Sequence, residues 1–167
     1  STTTVLTTKA GAERLGGSAI GLEPWQTQSL EGQVKGALQV TATPARHGPA
    51  HADRGPVIGF ALHAADHPRE AIYVSGDTVL FEGVEEVGRR FDVKVAILFL
   101  GAAKVQAVGD WPLTFTAEEA VKVATTQVDV AAPPAVTVPP RMDGHAWVLD
   151  PRANDAFIIV NRLLKAG

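Results

Sequence analysis

AIYVSGDTVLFEG, residues 71–83, is the stretch around which the rest of the chain is arranged. Ile72, Tyr73 and Val74 are apolar, and β-branched and aromatic side chains suit a pleated, half-buried strand. The strand breaks at Ser75-Gly76, where glycine admits a backbone turn that a Cβ would obstruct. Asp77 and Thr78 then stand at the strand's carboxyl end, and a helical stretch follows soon after. An acid on a loop at the carboxyl end of a strand is a common location for chemistry. The plainer alternative is that Asp77 shapes a turn or caps the helix, and this stretch alone leaves both open.

The flanks supply the frame. Upstream, Val34 to Thr43 alternates as a half-buried strand from Leu38 onward and ends at Pro44; the loop 44–56, PARHGPAHADRGP, follows. Val57 to His63 is the next strand, residues 64–69 a turn, and Glu70 to Val74 the returning hairpin partner. Downstream, Leu80 to Arg90 reads as a helix with Leu80, Val84 and Val87 on one side. Val93 to Leu100 is nearly all apolar, the signature of a strand covered on both faces. A long loop spans 101–112, and Thr116 with Glu119 forms a capping box opening a helix to about residue 125.

Nearer the amino end, Thr4 to Thr7 is a short strand and residues 8–15 a helix, with Thr8 as N-cap and Gly16-Gly17 as its stop. Residues 22–30 read as a loop leading into a strand. Residues 128–138 hold one or two short strands broken by Pro133-Pro134. Asp150-Pro151 opens a last helix with a stripe at Ala156, Phe157, Val160, Leu163 and Leu164. Strands early, a hairpin, then strand–helix–strand–helix describe a layered α/β domain.

The 167 residues suffice for one domain, and 46% apolar with 20% charged residues is an ordinary globular balance. A net charge of −3 gives no sign of a nucleic-acid or membrane surface. With no Cys there is no disulfide or thiolate site, so any metal must take His and carboxylates; this fits a cytoplasmic protein. No apolar run approaches the ~20 residues of a membrane span. The first residues, STTTVLTTKA, carry neither a signal pattern nor an initiator Met, as expected of a processed, trimmed or partly observed chain.

Four of the five His lie between positions 47 and 67. His63 and His67 bracket the hairpin turn, where solvated histidines without a role are the rule. His47 sits between Pro44 and Gly48-Pro49, which stiffen its backbone. A metal ligand or general base needs such fixed placement; a merely polar loop residue remains the alternative. Arg46, His51 and Asp53 share the loop and are candidates to meet an anionic substrate, against a plain solvated loop. Trp111 and Phe115 are candidates for a pocket wall, with core packing the better reading of Phe115.

A Pro-x-x-His loop, a hairpin and a strand ending in Ser-Gly-Asp-Thr, in that order, resemble the metallo-β-lactamase superfamily. The resemblance is to its broad branch of cytoplasmic metal-dependent hydrolases, which is similar to the N-acyl phosphatidylethanolamine phospholipases. The matching segments are TATPARHGP (41–49), DRGPVIGFAL (53–62), IYVSGDT (72–78), FDVKVAILFLGAAKV (91–105) and LTFTAEEAVKVA (113–124).

The resemblance implies an α/β (α+β) fold, a four-layer αββα sandwich of which residues 1–167 are the carboxyl-terminal portion, one domain incomplete at its amino terminus. It implies a metal site at one edge between the sheets. There His47 is a ligand and Asp77 the carboxylate bridging two ions, the pair that carries catalysis. One or two Zn²⁺ ions are expected, with Mn²⁺ or Fe as alternatives. A metal lowers the pKa of bound water to ~7, giving hydroxide at neutral pH to attack an ester, lactone, amide or phosphodiester of a small-molecule substrate.

Two departures stand out. The family's His-x-His-x-Asp-His cluster is absent from this sequence. In AVTVPPRMDGHAW (135–147), Arg141 takes the place of the last His ligand. His145, four residues later, is the candidate third ligand if the loop is rebuilt. Two ligands are too few for a Zn²⁺ site. The isolated chain is therefore expected to bind metal weakly and to self-associate or pair with an amino-terminal segment. A non-catalytic fragment or degenerate relative acting as an interaction protein is the second reading. A small-molecule binding module ranks last, since no Gly-rich phosphate loop opens a helix.

Overall fold

The computed structural model describes residues 4–34, 36–52 and 54–127, all within one compact unit that reaches residue 131. The elements are β1 (Val5–Thr8), α1 (Lys9–Leu15), β2 (Ala19–Leu22), β3 (Thr27–Val34), β4 (Gly36–Pro44), β5 (Ile58–Ala64), β6 (Glu70–Val74), α2 (Glu82–Arg90), β7 (Asp92–Ile97) and α3 (Ala117–Gln127). The strands and helix expected beyond residue 127, with Arg141 and His145, lie outside the described residues, as does Asp53.

Local chemistry sets the helix ends. Thr8 caps α1 by accepting from Gly11 N at 3.0 Å. Thr116 and Glu119 form the capping box of α3: Glu119 N donates to Thr116 Oγ1 at 3.2 Å, and Thr116 N to Glu119 Oε2 at 2.9 Å. The short strand β2 is not legible in the sequence. It has four residues and owes its extended form to parallel pairing with β1 across α1.

The main sheet runs β3-β4-β5-β6-β7, antiparallel through β6 and parallel at β6–β7. Side chains alternate across it. Ala61, Ala71, Tyr73 and Val93 belong to the core cluster with Val84 and Val87 of α2, Val123 of α3, and Phe115. His63 is the penultimate residue of β5, beside the turn; its Nε2 is 3.1 Å from Thr41 Oγ1 and its ring lies 5.5 Å from that of Phe91. Among the described residues the opposite face is left without cover. Ile72, Val95 and Ile97, neighbours across the β6–β7 pairing, are 43%, 49% and 49% exposed. The sequence pattern expects cover on both faces of residues 93–100, and the described residues supply it on one. β7 ends at Ile97, is an outer strand, and is covered on one face among the described residues.

Tyr73 is fully buried, and its hydroxyl makes no hydrogen bond among the described residues. Burial pushes this hydroxyl well above its ordinary value of 10.0; the nearby Thr43 hydroxyl opposes the shift only in part. The unfolded chain ionises at this Tyr near pH 10 while the folded chain keeps it neutral. Its contribution to stability is complete below about pH 10 and is lost as the pH rises from there toward the folded value. Tyr73→Phe is expected to be near-neutral at pH 7, since an unpaired hydroxyl is removed, and to flatten the fall of the urea midpoint above pH 10. The uncovered apolar face predicts that the 167-residue chain binds an apolar dye and self-associates on size-exclusion chromatography. Val95→Lys combined with Ile97→Lys should reduce both; a dilute monomer without dye binding would count against it.

Candidate functional site

The sheet order decides which loops meet. β5 runs antiparallel to both β4 and β6, so β4 and β6 point the same way on either side of it. β7 is parallel to β6. The loops that follow β4, β6 and β7 therefore leave one edge of the sheet. The ends of β4 and β6 are two strand spacings apart, roughly 10 Å.

The turn after β6 closes that gap by crossing over β5. A Cβ on Gly59 would lie 2.7 Å from the carbonyl oxygens of both Val74 and Ser75, so only glycine lets the turn pass so low. Gly76 has φ +60°, and a Cβ there would lie 2.8 Å from Ile58 O. Ser75 is fully buried; its Oγ accepts from Phe99 N at 2.9 Å and donates to Gly76 O at 2.9 Å, fastening the turn to the segment after β7.

Thr78, also fully buried, accepts at Oγ1 from Arg46 N at 3.0 Å and donates to Val79 O at 2.9 Å. Val79 N donates to Arg46 O at 2.9 Å. Two bonds thus clasp the loop after β4 to the loop after β6. They fall one residue before His47 and one and two residues after Asp77.

The neighbours of Asp77 are spent on structure, and Asp77 is not. It is exposed and opens onto a cleft of about 280 Å³ between β1–α1 and the start of β5, lined in part by Leu6, Arg14, Ile58 and Phe60. Its carboxylate makes no hydrogen bond or ion pair among the described residues, and the N-cap of α2 is Phe81. His47 does not line this cleft. It is half-buried in a loop closed by Arg54 N donating to His47 O at 3.2 Å, and its Nδ1 is buried without a partner.

The Arg46 guanidinium lies 4.5 Å over the Phe81 ring. His51 meets Trp111 edge-on, ring centres 4.9 Å apart, which brings the loop after β7 against the same corner. Phe115 is core, as expected. The parts missed in the sequence are Gly59, Ser75 and Thr78. A glycine inside a strand is the one available signal, marking a close backbone approach.

A buried, unpaired imidazole nitrogen and a free carboxylate on clasped loops are donors of the kind borderline divalent cations take. The fit is incomplete: among the described residues no group of three or more such side chains is found. His145 lies outside them.

Residues 2–136 match the family described as the beta-lactamase superfamily domain. A UPF0173 metal-dependent hydrolase of Pyrobaculum calidifontis is 37% identical over 65 residues, 39% of this chain and 26% of that protein. One of Caldivirga maquilingensis is 36% identical over 75 residues, 44% and 30% of the two chains. Among solved structures, an isothiocyanate hydrolase from Delia radicum gut bacteria superposes with TM-score 0.58 at 20% identity, covering 73% of this chain and 48% of that one. A metallo hydrolase of Ignicoccus hospitalis gives TM-score 0.54 at 22% identity, covering 74% and 48%. The chain thus spans about half the length of these structures, and its match spans under a third of the curated relatives. No described helix is long and apolar enough to cross a membrane. On the family match and the shared mixed α/β architecture, the chain belongs to the beta-lactamase superfamily, with a metallo-β-lactamase-type fold.

Proposed function

We propose that this chain is the carboxyl-terminal portion of a metal-dependent hydrolase of small molecules, with His47 and Asp77 among its metal ligands. The observation that carries this reading is the pair of uncommitted donors, His47 Nδ1 and the Asp77 carboxylate, on loops joined by two hydrogen bonds. The relatives named metal-dependent hydrolases, and the isothiocyanate hydrolase among the solved structures, support the reaction class.

In this reading His47 would hold a metal through a ring nitrogen and Asp77 through its carboxylate. Further ligands come from outside residues 4–127, with His145 the candidate within this sequence. A bound divalent cation, Zn²⁺ or else Mn²⁺ or Fe, supplies Lewis acidity and acidifies water at neutral pH. The bond cleaved belongs to an ester, lactone, amide or phosphodiester. The Cys-free sequence is in keeping with a cytoplasmic location.

The uncovered apolar face favours a second reading, in which the chain is a non-catalytic interaction protein. The two separate experimentally. The full-length polypeptide is expected to carry one or two transition-metal ions per chain. His47→Ala and Asp77→Ala should each lower metal content and the hydrolysis of a p-nitrophenyl ester or bis(p-nitrophenyl) phosphate by about 100-fold or more, beyond the 10–100-fold typical of a ligand's supporting partner. Elemental analysis finding no stoichiometric metal would sink the hydrolase reading. Hydrolysis by the 167-residue chain alone, lost on Asp77→Ala, would sink the interaction reading.

A further inference from the structure

We propose that Thr78 is a positioning residue that fixes the loop carrying His47 against the loop carrying Asp77, an inference that rests on the metal-ligand reading above. Its hydroxyl has one proton to give and gives it to Val79 O at 2.9 Å; it accepts from Arg46 N at 3.0 Å. Both bonds are sheltered, since Thr78 is fully buried. The β-branched side chain holds few χ1 rotamers, so the hydroxyl has little freedom to aim elsewhere.

The rest of the clasp is backbone. The bond from Val79 N to Arg46 O does not depend on residue type, and Arg46 is anchored at its far end by its guanidinium over Phe81 at 4.5 Å. Beside the Arg46–Phe81 ring contact, the Thr78 hydroxyl is the one side-chain hydrogen bond joining the two loops among the described residues. Ser75 is the contrast. It is equally buried and equally bonded, but it ties the same turn to Phe99 after β7 and not to the loop of His47. A valine at 78 keeps the shape, deletes both bonds and leaves the Arg46 amide without an acceptor. The loop carrying His47 is then free to shift against Asp77.

The test is Co²⁺ titration of the full-length polypeptide, read by d–d absorption, which reports ligand geometry as well as affinity. Thr78→Val is expected to weaken Co²⁺ binding about 10–100-fold, as loss of a ligand's supporting partner does, and to change the band shape. Thr78→Ser should stay close to wild type. Ser75→Ala should lower the apo melting temperature yet leave Co²⁺ affinity largely intact. A second measurement needs no variant. If the clasp favours metal, metal must tighten the clasp, so the Arg46 and Val79 amides should exchange more slowly with Co²⁺ bound.

The proposal is overturned if Thr78→Val binds like wild type, if Ser75→Ala loses as much affinity, or if the two amides exchange alike with and without Co²⁺. A wild-type protein that binds no Co²⁺ overturns the ligand reading and this inference with it. Co²⁺ bound equally by wild type and Thr78→Val overturns this inference alone.

Discussion

The clasp between the loops after β4 and β6 exists because β5 runs the other way between them. Two strands that flank an antiparallel neighbour finish at the same edge, and their loops must then either reach over that neighbour or stay apart. Here they reach. Gly59 lowers the floor of β5, Gly76 takes a positive φ above it, and the turn arrives within hydrogen-bonding distance of Arg46. The exposure of Asp77 and the fixed backbone around His47 follow from that crossing.

Much of this frame was legible because local chemistry and tertiary structure agree. Thr8 and the Thr116–Glu119 pair do what capping residues do, and the break at Ser75-Gly76 falls at the end of β6. Residues whose role is fixed by distant partners were not legible. Thr78 is thirty-two positions from the amide it accepts, and Ser75 twenty-four from its own. No local pattern distinguishes them from ordinary turn residues. β2 stayed hidden for the same reason, being a strand by virtue of its neighbour β1. For residues 93–100, an apolar run reports which side chains need cover, not what supplies it; among the described residues the side toward α2 and α3 has it.

The two faces of the sheet therefore differ in kind. One has a closed core of Tyr73, Phe115 and the helix valines. The other presents Ile72, Val95 and Ile97 half-exposed, where burial would be favourable by roughly 25 cal/mol for each Å² of apolar surface covered. The clasp does not depend on that face. Its hydrogen bonds are made among residues 46, 78 and 79, at the edge of the sheet.

The sequence-ordered sheet also bears on how the edge is assembled. Bringing residues 46 and 78 together directly would mean closing a loop of thirty-two residues in one step. The hairpins between β4 and β5 and between β5 and β6 replace that step by two shorter closures. Each has its own ladder of hydrogen bonds. With the three strands in register, the remaining gap is only the width of β5. The junction between residues 46 and 78 is thus brought close by pairings of strands adjacent in sequence, which divides one long closure into shorter ones.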